Sequence, residues 1–215
     1  MVPPVAGEEQ KNVPDAKRFS VDRSAGLAGH YQVAYNPEEN VLFVSGSYNH
    51  TKTHGTLCAT IARINADPLQ IEQTATLPVI PENNPELANL FQVQAAYGLA
   101  EDNERGLLWT GGTHTNSVTA YSQKELSRVW DSLVLEVEML TPRELYVAPN
   151  GAVLVTGMGG YQVISAPTAE GERRVSPLQG EGPAMLLGPV ADESRSLLYI
   201  PNIMRDEIWV VDMNT

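Results

Sequence analysis

A phrase of strand, acidic turn, strand, polar loop and strand recurs along this chain, and its spacing restricts the fold more than any other feature. Its clearest copy runs Ala96-Tyr97-Gly98-Leu99-Ala100, a turn through Gly106, Leu107-Leu108-Trp109-Thr110-Gly111, a loop to Ser117, then Val118-Thr119-Ala120-Tyr121. The runs are short and rich in β-favouring residues, and Gly, Asn, Asp, Ser and Thr fill the intervals between them. Further copies hold Tyr31 to Gly46, Arg143 to Ile164, and Leu187 to Val211. With Phe43, Trp109, Leu154 and Tyr199 as equivalents, successive copies stand 66, 45 and 45 residues apart. Several strands per repeat at a period near 45 predict an all-β fold, a β-propeller of four-stranded antiparallel blades with about four blades present.

The outer strands are expected at Ile71 to Leu77, Arg128 to Val134 and, most weakly marked, Glu172 to Val175; the fourth copy has none. Residues 1–15, with Pro3, Pro4, Pro14 and many charges, suit a loosely attached arm, so the propeller domain is assigned to 16–215. Lys17 to Asp22 has the length and alternation of a lone strand that could complete the last blade. A short helical turn is expected after Pro85. An incomplete propeller would expose sheet edges, and self-association would follow.

A formal charge of −12 and a sequence pI near 4.7 disfavour general attraction to nucleic acid or anionic membranes, which rests on clustered Lys and Arg. Cys58 is the only cysteine and reads as an inert buried thiol, so neither an intramolecular disulfide nor a multi-cysteine metal site is available. No apolar run reaches 18 residues. His50 and His54 stand four apart in a Thr-rich loop with Lys52 between them and read as solvated rather than as a metal pair. No cofactor and no metal is called for.

The phrases Leu198-Tyr-Ile-Pro-Asn202 and Ile208-Trp-Val-Val-Asp212, with Thr115 to Ala120 and Pro142 to Leu145, resemble the YVTN-repeat β-propellers, and among them the YncE-like branch. The resemblance covers roughly residues 24 to 215. It implies a seven-bladed bacterial propeller, exported to the periplasm, with single-stranded DNA binding as an associated activity. The chain departs from it in blade number and in its acidity.

In a four-stranded blade the loops sort alternately onto two faces. The turns between the first two strands carry Glu38, Glu39, Glu101, Asp102, Glu104, Asp192 and Glu193, an acidic face. The other face receives all four histidines together with Tyr97, Arg143, Glu144 and Arg205. Its candidate ligand-binding residues are His30, Tyr31, Tyr97, His114, Arg143 and Arg205, with Arg143 suited to clamp a carboxylate or phosphate and the tyrosines to stack. Arg143 and Glu144 are adjacent, so strand alternation sends them to opposite sides and predicts that at most one lines the site. The expected function is a non-enzymatic binding or scaffold module for a small molecule or protein at that face. The alternatives are single-stranded DNA binding and a lactonase-type propeller hydrolase.

Overall fold

The computed structural model describes residues 30–46, 60–77, 96–113, 115–132 and 140–214. Among them there are fourteen strands and no helix. The first sheet holds β1 (His30–Asn36), β2 (Val41–Gly46), β3 (Thr60–Ala66) and β4 (Leu69–Thr76); the second holds β5 (Leu99–Asp102), β6 (Leu107–Gly112), β7 (Ser117–Ser122) and β8 (Arg128–Asp131). In the third are β9 (Leu140–Val147), β10 (Val153–Met158) and β11 (Gly160–Ile164), and in the fourth β12 (Val190–Asp192), β13 (Leu197–Asn202) and β14 (Glu207–Asp212). Each strand pairs antiparallel with its neighbour in sequence.

One turn chemistry starts three of the four sheets. The side chains of Asn36, Asp102 and Asp192 accept hydrogen bonds from backbone N–H groups two or three residues on: Glu38 at 2.9 Å, Arg105 at 3.3 Å and Arg195 at 3.2 Å. Each turn then closes through a left-handed residue, Asn40, Gly106 or Ser196, placed just before the second strand. The acidic character expected of this face is therefore partly internal. Asp102 is buried and paired with Arg105 at 3.1 Å, and Asp192 holds Arg195 at 2.6 Å.

The register bears out the equivalence of the repeat. Ala34, Ala100, Tyr146 and Val190 stand opposite Phe43, Trp109, Leu154 and Tyr199 in the four sheets. These residues point each sheet toward the next. Phe43 packs with Leu99 and Leu108 of the second sheet, Trp109 with Leu145, Val153 and Val155 of the third, and Leu154 with Leu198 and Ile200 of the fourth. Trp109 also packs at a tilt against Trp130, 5.4 Å between ring centroids, and carries the Arg173 guanidinium 4.8 Å from its ring. Tyr199 breaks the series. It is half-exposed and its strand partner Val190 is 67 % exposed, because no sheet among the described residues packs on that face.

Two expected strands are altered. The third outer strand at Glu172 to Val175 is reduced to isolated bridges, Ile164 to Val175 and Tyr161 to Gln179, in a segment interrupted by Pro177 and Pro183, which cannot donate to a ladder. The second runs Arg128–Asp131 with Ser132 outside it, and Leu133 and Val134 lie outside the described residues. The arm, the strand at Lys17 to Asp22, the helical turn after Pro85, and His50, His54, Cys58 and His114 lie outside the described residues.

Replacing Trp109 by Ala should lower the free energy of unfolding by about 3–5 kcal/mol, as expected for a large core ring. Tyr199→Ala should cost less than about 2 kcal/mol, since its ring is already partly in water. Urea unfolding of both variants checks the order; equal losses would mean that the face of the fourth sheet is covered.

Candidate active site at the inner strands

Three consecutive sheets bring the starts of their first strands together. Tyr31 on β1 meets Tyr97, just ahead of β5, edge to face with ring centroids 4.7 Å apart. Arg143 on β9 donates from Nε to the Tyr31 hydroxyl at 2.8 Å, and its guanidinium carbon lies 5.4 Å from the Tyr31 ring and 6.0 Å from that of Tyr97. The next residue, Glu144, is half-buried and hydrogen-bonded to the Gln32 side chain, beside Tyr31.

The expectation that Arg143 and Glu144 part company is corrected by the backbone. Between His30 and Val33, β1 carries one more residue than the facing stretch of β2, so Tyr31 and Gln32 sit in a bulge. On β9 the pairing slips between Leu140 and Glu144, and Thr141 takes a left-handed φ of 56°. Strict alternation fails in both places, and both side chains of β9 address β1.

The surrounding chain fastens these irregular stretches. Ser45 on β2, fully buried, accepts the Gln32 N–H at 3.1 Å and donates to the Tyr97 carbonyl at 2.9 Å. The Gln32 carboxamide oxygen accepts the Leu99 N–H at 2.8 Å, which leaves its amino group for Glu144. Thr113 donates to the Pro142 carbonyl at 2.9 Å, and the Asn116 side chain accepts the Thr141 N–H at 3.0 Å, so the entry to β9 is tied to the loop between β6 and β7. Gly98 makes the closest approach. A Cβ there would stand 1.8 Å from the Arg143 carbonyl oxygen, so only glycine lets β5 and β9 lie this near.

Electrostatics sets the protonation states. Burial raises the Glu144 carboxyl above its ordinary range; the Gln32 hydrogen bond and the Arg143 charge offset this only in part. The Tyr97 phenol is likewise raised, by burial first and against the pull of Arg143. Among the described residues no three His, Cys, Asp or Glu side chains are grouped so as to hold a metal.

Of the six residues expected from sequence, Tyr31, Tyr97 and Arg143 converge. Arg205 does not join them: it lies in the turn between β13 and β14, 3.8 Å from Glu207, donates to the Glu181 carbonyl at 3.3 Å, and lines a cavity of about 540 Å³ with Tyr161 and Trp209. His114 lies outside the described residues, and His30 is placed only as the first residue of β1. Gln32, Ser45 and Gly98 were not among the expected site residues. Gly98, between an aromatic and a strand, is the one of these whose residue type hints at close backbone approach.

No protein-family model and no curated protein matches the chain. Solved structures do. A functionally unknown protein from Desulfotomaculum acetoxidans is similar with a TM-score of 0.61 at 12% identity, over 87% of this chain and 56% of its own. A gluconolactonase from Xanthomonas campestris is similar with a TM-score of 0.57 at 14% identity, over 86% of this chain and 58% of its own. A structural-genomics protein classed provisionally as a gluconolactonase follows at 0.53 and 15% identity, with 85% and 58% covered. The fold is β-propeller-like. This chain spans less than two thirds of the length of each of these propeller-like relatives in structure. The comparison corrects the expectation of a non-enzymatic scaffold: two of these three structures are a gluconolactonase and a protein provisionally so classed, which supports the hydrolase alternative instead. None of the three is a YVTN-repeat or YncE-like protein by its description.

Two measurements test this geometry. Gly98→Ala should destabilise the fold by about 2 kcal/mol, the cost of forcing a packed backbone apart, whereas Gly188→Ala, with open space at its Cβ, should be nearly neutral. The Glu144 carboxyl is raised above its ordinary value of 4.5, so the folded chain holds that proton more tightly than the unfolded chain does. Its contribution to stability is greatest below 4.5 and is lost as pH rises through the folded value. Urea midpoints should show Glu144→Gln gaining on the parent across that window; a gain on going to lower pH would reverse the assignment.

Proposed function

We propose that the chain is a lactonase-type propeller hydrolase, with the four sheets as blades and the reaction at the mouth formed by β1, β5 and β9. The observation that carries this reading is the Glu144 carboxyl, raised by burial and hydrogen-bonded to Gln32, next to a phenol whose oxygen already accepts a hydrogen bond from Arg143. An acid–base group with a perturbed proton affinity beside a polarised donor is the pair that acyl transfer requires. The fold likeness to a gluconolactonase supplies the reaction class as an analogy.

In this reading ionised Glu144 takes a proton from water as the water oxygen attacks the lactone carbonyl carbon. The carbonyl π electrons move onto its oxygen, where the Tyr31 O–H donates to the developing anion. Arg143, donating to the phenol oxygen, strengthens that donor. Collapse of the tetrahedral species breaks the bond from acyl carbon to ring oxygen, and the departing oxygen takes the proton held by Glu144. The product is the open hydroxy acid. Tyr97, edge-on to Tyr31, restrains the phenol and walls the site on the side of the second sheet.

The phrases that resemble YVTN repeats fall mainly on β13 and β14, the second and third strands of a blade. Those two phrases mark the architecture of a repeat, whereas the phrase Pro142 to Leu145 carries Arg143 and Glu144 of this site.

Turnover of a lactone panel that includes D-gluconolactone, followed by acid release with and without divalent metal, tests the reading. Glu144→Gln should lower kcat/KM about 100-fold or more, and Tyr31→Phe about 10- to 100-fold. No turnover of any lactone by the well-folded parent would sink the proposal.

A further inference from the structure

Arg143 spends one donor on Tyr31, and no described residue takes its Nη donors. Among the described residues Arg63, Arg105, Arg128, Arg195 and Arg205 each hold a carboxylate; Arg143, Arg173 and Arg174 hold none, and Arg173 is spent on the Gly151 and Ser165 carbonyls and the Trp109 ring. The hydrogen bond of Arg143 among the described residues is the one from Nε; Glu144, the nearest acid in sequence, is bound to Gln32 and reaches Arg143 through its charge. Of these three arginines, only Arg143 stands among the residues of the candidate site. It is also a built feature. Two aromatic rings flank it, its backbone is seated on Gly98, and Thr113 fixes the preceding carbonyl.

We infer that the Nη donors of Arg143 bind a carboxylate carried by the substrate, so that the favoured lactones are those of sugar diacids rather than neutral sugar lactones. This rests on the hydrolase reading for the reaction and on the geometry of Arg143 for the anion. The planar fork of a guanidinium matches a carboxylate with two parallel hydrogen bonds. One positive charge balances one carboxylate. A phosphate dianion beside Glu144 would need a second cation, and among the described residues Arg143 is the cation in contact with Tyr31 and Glu144. The carboxylate anchored here is distinct from the one the reaction releases, so the product is a dicarboxylate held at one end by Arg143.

The test compares D-glucarate with D-gluconate, a diacid and a monoacid of the same length, by calorimetric titration of the full chain, alongside hydrolysis of their lactones. Glucarate should bind about tenfold or more tightly than gluconate, the worth of one good charge-assisted pair. Arg143→Gln should abolish that ratio, and Arg143→Lys, which keeps the charge and loses the fork, should leave a reduced one. Thermal melts of both variants guard against misfolding, and gluconate affinity serves as the internal reference. Equal affinity for the two acids in the parent, or a preference that survives in Arg143→Gln, overturns the inference. Discrimination in binding with no turnover of either lactone would remove the hydrolase reading and leave the anion site standing. Turnover without preference for the diacid lactone would do the reverse.

Discussion

Face-to-face packing of successive sheets is the constraint on which the rest of this structure depends. A sheet of three or four short strands cannot bury both of its faces alone, so each one is stable only against its neighbours. Phe43, Trp109 and Leu154 make that contact from equivalent register positions, and each meets aliphatic side chains on the first and second strands of the sheet that follows. The first strands are thereby brought side by side. The distance between β5 and β9 is so short that a glycine at position 98 is a condition of the packing.

Placing first strands side by side gathers chemistry from three sheets at one end. Regular strands would still present alternate residues to opposite sides, and Tyr31 with Gln32, or Arg143 with Glu144, would be divided. The bulge in β1 and the slipped pairing in β9 undo that division where the strands begin. A bulge leaves backbone groups that the ladder does not satisfy, and here side chains take them: Ser45 for Gln32, Asn116 for Thr141. The irregular geometry is therefore held by part-buried hydrogen bonds.

The same arrangement gives Glu144 and Arg143 opposite circumstances though they are adjacent in sequence. Glu144 is turned into the half-buried space against Gln32, where its charged form is disfavoured. Arg143 lies beside the two tyrosine rings and is only partly buried. One group is prepared to exchange a proton and the other to hold a fixed charge, which is the division of labour that hydrolysis of an anionic ester demands.

The all-β class, the four repeats and the equivalence of Phe43, Trp109, Leu154 and Tyr199 were legible in the sequence, because a period near 45 and five-residue β-favouring runs are local properties of the chain. Tyr31, Tyr97 and Arg143 could be sorted to one end for the same reason, since alternation of loops follows from antiparallel order. What the sequence could not carry was the company each residue keeps. Arg205 falls at an equivalent kind of loop, yet it is occupied with Glu207 and Glu181 on the fourth sheet. Gln32 and Ser45 resemble any polar strand residue until the neighbouring sheet is in place, and Tyr199 resembles Trp109 until its face is found uncovered among the described residues. The repeat by itself determined the sheets and their order. The joining of Glu144 and Arg143 in one site was decided only by tertiary structure, because it depends on bulges and on contacts between residues as far apart in sequence as Tyr31 and Arg143.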